Sequence, residues 1–480
     1  MVDILIENGT IITMDKERRI IERGSVAILE DRIVDIGKES ETKYDADKVI
    51  NAKNKVVMPG LIDAHGHAGH GLIKTICEHS SNEWEAFADR VYRHFTTKES
   101  WYVEGLLSAA EKLKFGTTCG VSFLGGGVTF RSDDPVFADM HAKAIEDAGI
   151  RGIFGIGPSG LYYPLGSTGF STYQGAERVE SEVTFENSLK ITETVLRKWS
   201  RPGKGRVHAC LALNRVSPSS KEAKAEEIDA IAGQAAEIRR LADNYKVSIM
   251  SHAHGGEVEF AYRNHPFSLG SDVQLVHCDG ISEAEIAILA KTGTKVIHCP
   301  SARAIIAKRC PVVELLDAGI NVAIATDGSA PDRSFCLFKD MRLAMRLQQT
   351  HFGSSNYLPP GKILEMVTID AAENLGLSSL IGSLEVGKKA DVILLDMMKP
   401  HLVPFFMPVH RVVYEALGTD VDTAIVDGKI LMQNRQLKSL DEEEVLRKAQ
   451  HEAERIVNEN QCWDYMRPPK GFWGCSKYTV

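Results

Sequence analysis

No run of apolar residues approaches membrane-spanning length, so a bilayer-crossing helix is not expected. Paired cysteines are also missing: nine are scattered over 480 residues without one C-x-x-C. That odd, dispersed set excludes a disulfide framework and a structural zinc finger, and fits a reducing cytoplasm. Positive charge is thin as well. The 56 Lys and Arg stand against 65 Asp and Glu, a formal net charge of -9, with no basic cluster longer than a pair or so. Nucleic acid and an anionic membrane surface are therefore not expected as partners, and a small molecule is. The opening stretch Met1-Val2-Asp3-Ile4-Leu5-Ile6-Glu7 has no basic segment and is soon interrupted, so no signal peptide is expected.

What is present can bury a large core, since 44% of the residues are hydrophobic. Short alternating strands with turn signals such as Asn8-Gly9 fill residues 3–58, and the same style returns around Asp391-Val392-Ile393-Leu394 and Thr423-Ala424-Ile425-Val426. Three or four short strands cannot stand alone. Residues 1–58 with 381–440 are therefore expected to form one composite β-sandwich. Between 59 and 380, strand candidates at 61–63, 117–121, 150–156, 207–213, 247–252, 273–277, 295–298 and 322–326 alternate with helical stretches such as 222–243 and 283–290. That is the count and order of an α/β fold of the (β/α)₈ TIM-barrel type. An open doubly wound sheet would want a glycine-rich phosphate turn after its first strand, and Met58-Pro59-Gly60 gives none. Gly125-Gly126-Gly127 reads as a flexible loop beside a pocket. The remainder, 441–480, predicts a helix with an acidic start, running to about 460, then an aromatic, proline-bearing tail from Trp463; such a tail predicts self-association into a homo-oligomer.

The run Val56-Val57-Met58-Pro59-Gly60-Leu61-Ile62-Asp63-Ala64-His65-Gly66-His67 ends in two histidines one residue apart. On a strand they share a face, about 7 Å apart, a spacing one metal ion can bridge. Catalytic groups of a barrel sit at the C-terminal ends of its strands. Other strand ends carry His252, His277 and Asp327.

With Ala325-Thr326-Asp327-Gly328 and Gly382-Ser383-Leu384-Glu385-Val386-Gly387-Lys388-Lys389-Ala390-Asp391, these stretches resemble the amidohydrolase superfamily over nearly the whole chain. The resemblance implies that His65, His67, His252 and Asp327 hold a divalent metal, by default zinc, with iron, cobalt or manganese as alternatives. It places His277 beside the water or the reacting group. Binuclear members use a carboxylated lysine on the fourth strand; Val207-His208-Ala209-Cys210-Leu211-Ala212-Leu213 has none, so one metal is expected. Asp327 would shuttle the proton of the attacking water, and His277 would orient that water or stabilise the oxyanion.

The amine-releasing branch reads His-x-x-Glu at the fifth strand, where the glutamate protonates a ring nitrogen. Here the stretch is His252-Ala253-His254-Gly255-Gly256-Glu257, with glycine at the acid's position. Attack on a ring without that donor lacks an electron sink, whereas a carbonyl needs none. The expectation is thus a hydrolase of non-peptide C–N bonds in a small neutral amide, urea or carbamate, in the manner of the phenylurea and thiocarbamate hydrolases. The alternative is a heteroaromatic aminohydrolase, or triazine dechlorinase, in which His254 or Glu257 supplies the proton. His254 turned outward and Glu257 reaching inward both stay open, and a catalytically degenerate binding protein is the remaining reading. His208, Asn214 and Arg215 near the fourth strand's end, His70 and His79 after the first, and Tyr162-Tyr163 after the third are candidate substrate contacts. Cys278, Cys299 and Cys336 are soft ligands or, as such cysteines commonly are, apolar fillers.

Overall fold

The computed structural model describes residues 1–38, 40, 44–77, 81–126, 129–162, 167–174, 177–200, 205–218 and 223–477. Eight parallel strands follow one another around a barrel: β1 Leu61–Asp63, β2 Thr117–Gly126, β3 Arg151–Ile156, β4 Val207–Leu213, β5 Ile249–His254, β6 Val273–Asp279, β7 Lys295–His298 and β8 Val322–Ile324. This is the (β/α)₈ arrangement expected. Alternation along each strand builds two cores. Ile62, Val121, Ile153, Ala212, Met250, Val276, Ile297 and Ala323 fill the barrel. Their neighbours Leu61, Leu275, Val296 and Ile324 face the helices.

Consecutive strands from β1 to β8 are joined by ladders, but β8 and β1 are not. Both instead donate backbone bonds to an intervening segment, Ile62 N–H to the Val367 carbonyl (2.9 Å) and Ile324 N–H to that of Met366 (3.0 Å). At their upper ends a side chain takes over. Asp63 accepts the Thr326 N–H at 2.9 Å and the Thr326 hydroxyl at 2.7 Å. That is why β8 stops at Ile324, two residues short of the sequence expectation: the N–H of Thr326 is spent on a carboxylate rather than a ladder.

Strands from both chain ends share one nine-stranded sheet, in which Lys55–Pro59 lies between Val2–Ile12 and Val392–Asp396. Asn8-Gly9 is not a turn but an irregularity inside the single strand Val2–Ile12, with Asn8 at φ 64. A Cβ on Gly9 would come within 2.6 Å of the Val57 side chain, so only glycine lets the strand pass. Gly125 and Gly126 end β2 rather than forming a loop; Gly127 lies outside the described residues. Arg151 at the start of β3 pairs with Asp391 (2.9 Å) and Asp427, tying the barrel to this sheet. The helix Ile228–Tyr245 starts later than the expected 222–243, residue 222 being outside the described ones. The helix Glu442–Asn460 is capped by Asp441 and packs on the helix Lys98–Lys114, and the tail beyond it leaves Trp473 exposed. Among the described residues no helix is long and apolar enough to cross a membrane.

Candidate metal centre

The two motif histidines stand beyond the end of β1, and their rings converge as a shared ion requires: the two Nε2 atoms are 3.2 Å from one another. His67 Nδ1 sits 2.7 Å from the carbonyl oxygen of Gly125 at the end of β2. A carbonyl can only accept, so Nδ1 carries the proton and Nε2 presents a lone pair. The same logic fixes His252, whose Nδ1 donates to the Asn214 carbonyl at 2.9 Å. Asp327 brings Oδ1 to 3.1 Å from His67 Nε2 and 3.4 Å from His65 Nε2. Donor atoms of His65, His67 and His252 lie within 4.8 Å of one another.

All of these groups are buried. Burial lowers His65 to about 4, despite the nearby Asp327, and lowers His252 well below the usual imidazole range, helped by His65 and His67. Burial raises the Asp327 carboxyl, and what holds it well below the carboxylate range is hydrogen bonding from His65 and His67, which needs an N–H at their Nε2 atoms. With lone pairs there instead, a bound cation would supply that stabilisation. Neutral imidazoles with converging lone pairs and one carboxylate make a cluster that is mutually repulsive without a cation. The donor set fits a single divalent metal ion of the borderline class.

His277 lies two residues before the end of β6 with φ 75, and its Nε2 is 4.0 Å from Asp327 Oδ2. Its ring is flanked by those of His252 (centroids 5.1 Å apart) and His254 (5.8 Å). His254 neither leaves the barrel mouth nor stands alone. Its Nδ1 is 2.9 Å from Asp279 Oδ1, and Asp279 also receives Arg303 (3.1 Å) and Lys308 (3.3 Å). Burial would raise Asp279, but His254 and these cations pull it far down.

Other sequence candidates are dispersed. Glu257 does not reach in: it is fully buried in the first turn of Glu257–Asn264, and its Oε1 accepts Arg215 Nε at 3.0 Å and Nη2 at 2.5 Å. His208 is the second residue of β4, not near its end, and lines a cavity of about 770 Å³ with Gln274 and Lys295 at the opposite face of the barrel. Asn214 contributes its carbonyl to His252. His70 is buried against Trp84, 4.9 Å from the His67 ring, and Tyr162 stacks on His265. His79 and Tyr163 lie outside the described residues. Cys299 is grouped with His277 and Asp327, whereas Cys278 packs in the helix layer and Cys336 is buried at the start of Leu337–Phe352. Asp63 and the Gly125 carbonyl were missed. The signal for Asp63 was a lone carboxylate inside an apolar run, which must find a partner once buried.

Position 255 has no room for an acid. A Cβ there would lie 2.2 Å from the Gly280 carbonyl oxygen.

Comparison with known proteins extends over the same parts. The chain is 32% identical over 460 residues to the 5'-deoxyadenosine deaminase of Methanosarcina mazei, covering 95% of this chain and 99% of that one. It is 31% identical over 448 residues to the 5-methylthioadenosine/S-adenosylhomocysteine deaminase of Desulforudis audaxviator, covering 90% and 95%. Similar solved structures include a zinc-bound adenosine deaminase from Xanthomonas campestris (TM-score 0.78, 21% identity, 95% and 99% covered). Another is a zinc complex of atrazine chlorohydrolase from Arthrobacter aurescens (TM-score 0.78, 20% identity, 94% and 100%). The Amidohydrolase family model matches residues 56–431, from the strand that leads into the histidine pair to the last strands of the end sheet, and the chain belongs to that family.

Proposed function

We propose that His65, His67, His252 and Asp327 hold one divalent ion, zinc, and that the protein removes an amino group from a heteroaromatic ring in a small molecule of the adenosine-derivative kind. As a family member the chain is a hydrolase of carbon–nitrogen bonds other than peptide bonds. One observation carries the finer reading: the relatives above, matched along nearly the whole chain, are named as deaminases of adenosine derivatives. They support the heteroaromatic alternative better than the amide, urea or carbamate substrates expected from the missing glutamate alone.

When bound, the ion supplies Lewis acidity that brings the pKa of a water from about 15.7 toward about 7. Asp327, kept ionised, accepts the proton of the attacking water and returns it to the leaving nitrogen. His277, neutral and 4.0 Å from Asp327 Oδ2, orients that water. Ring attack also needs a donor for the ring nitrogen. His254 fills that role as the imidazolium, its Nδ1–H held by Asp279 and its Nε2–H given to the ring nitrogen from a side chain partly open to the mouth beside His277. The proton comes back to it from the hydroxyl added to the ring carbon as the amine leaves. Glu257, clamped by Arg215, does not.

The carbonyl-cleaving reading retains one supporting observation, the closed space at Gly255. A paired assay separates the two. Metal-loaded enzyme is offered 5'-deoxyadenosine, 5-methylthioadenosine, aminopyrimidines and triazines in one series, and N-aryl ureas, amides and carbamates in the other. Ammonia from the first series is expected. Turnover confined to the second overturns the proposal.

A further inference from the structure

Three of the four donors of the metal centre come from the two sides of the one junction between described barrel strands that lacks a ladder. His65 and His67 extend β1, and Asp327 extends β8. Something other than strand pairing must set the distance between them.

Two contacts span the gap at this level. The first is the bond from Asp327 N–H to the His65 carbonyl, 3.2 Å. The second is the two-pronged grip of Asp63 on Thr326, with one oxygen on the backbone N–H and the other on the hydroxyl. Asp63 is two residues before His65, and Thr326 is the residue before Asp327. Asp327 itself has φ 63, a left-handed conformation that a non-glycine residue keeps only when its surroundings enforce it.

Asp63 is fully buried, and a buried carboxylate is costly unless it is paired and hydrogen bonded. Lys112 from the helix Lys98–Lys114 lies 3.8 Å from its second oxygen, while also facing the Val121 carbonyl (3.4 Å) and the Phe335 ring (4.5 Å). Apolar side chains close a strand junction at least as stably as a buried ion pair does. What apolar packing does not give is a directed, two-point register between β8 and β1.

We infer that Asp63 is a positioning residue: by gripping Thr326 it fixes β8 against β1 and so places the Asp327 carboxylate against the His65–His67 pair. The inference rests on the metal-holding role proposed for those three residues. Thr326 is the better handle for a test, because Thr326→Val removes the hydroxyl's bond to Asp63 (2.7 Å) and its longer contact with the Asp327 carbonyl (3.2 Å) and leaves the backbone bond and the side-chain shape.

The full chain, metal-loaded, is compared as wild type, Thr326→Val, Thr326→Ala and Thr326→Ser. Three quantities are read: the rate of metal release to excess chelator, kcat and KM, and Tm with and without metal. One hydrogen bond to a charged acceptor corresponds to about a tenfold effect or more. Thr326→Val and Thr326→Ala are each expected to release metal about tenfold faster and to lower kcat by a similar factor, with KM within about twofold. Their metal-free Tm falls by no more than the few degrees that one hydrogen bond is worth in a chain of this size, and Thr326→Ser restores both the release rate and kcat. Release at the wild-type rate from both the Val and Ala variants overturns the inference alone. Serine behaving like valine also overturns it, since the hydroxyl is then irrelevant. A wild-type chain that takes up no metal overturns the proposed function and this inference together.

Discussion

Gly255 offers the sharpest test of the site's shape, because a glutamate there would restore the acid seen in the amine-releasing branch. The structure gives the opposite forecast. A Cβ at 255 would stand 2.2 Å from the Gly280 carbonyl oxygen, where ordinary contact begins at 3.4 Å, so one backbone must retreat by about 1 Å. The obstacle is main chain, which cannot rotate away as a side-chain tip can. Movement also strains the bond from Gly255 N–H to the Asp279 carbonyl (3.1 Å), and Asp279 is the residue that holds His254. Overpacking costs about 1–3 kcal/mol and a weakened hydrogen bond about 1 kcal/mol more, for a loss of about 2–4 kcal/mol. Because the clash is at Cβ, Gly255→Ala is expected to lose nearly as much as Gly255→Glu. Urea unfolding of the metal-loaded proteins measures both. An alanine variant within about 0.5 kcal/mol of wild type, or a glutamate variant that deaminates faster, would refute the reasoning.

Further expectations concern the donors and their surroundings. His67→Ala should weaken metal binding by more than the roughly 10–100-fold that loss of an outer partner costs, read by metal analysis after dialysis, and retention of one ion per chain contradicts the site. His65 and His141, both lowered to about 4 by burial, stay neutral in the fold while the unfolded chain protonates below about pH 6.5. The unfolded state therefore binds more protons between pH 6.5 and 4, and metal-free stability should fall as pH drops through that window; a flat profile from pH 7 to 4.5 opposes this. Arg215→Ala removes the guanidinium from the buried Glu257 carboxylate and should cost about 3–5 kcal/mol in denaturant unfolding. Glu257→Gln should keep kcat within about threefold, and a collapse of turnover with metal intact would return Glu257 to the role of acid.

The barrel was legible because eight apolar runs of strand length each alternate between an inner and an outer core. The donors were legible because their strand ends are local: His252 and His277 each close an apolar run. His208 misled because a strand's direction fixes which end matters, and this histidine sits at the entrance of Val207–Leu213. The links of Asp63 to Thr326 and of His254 to Asp279 join residues on different strands, and no periodicity within one strand reports them. Likewise, the closed space at Gly255 is made by Gly280 from another loop.

The sheet shared by the two chain ends has a bearing on biosynthesis. Lys55–Pro59 runs straight into β1, yet its antiparallel partner Val392–Asp396 is encoded about 330 residues later. At about 5–20 residues per second, a ribosome needs roughly 15–70 s to deliver that partner. Throughout that interval the strand leading into the histidine pair has a vacant edge, and closing so long a loop is slow. A nascent chain can thus pair β1 with β2 early, whereas Lys55–Pro59, the strand that leads into β1, gains its second neighbour among the last. Chaperone demand and aggregation during synthesis should concentrate on Lys55–Pro59, and a circular permutant that begins near residue 385 would bring the two partners together within about the first 155 residues made.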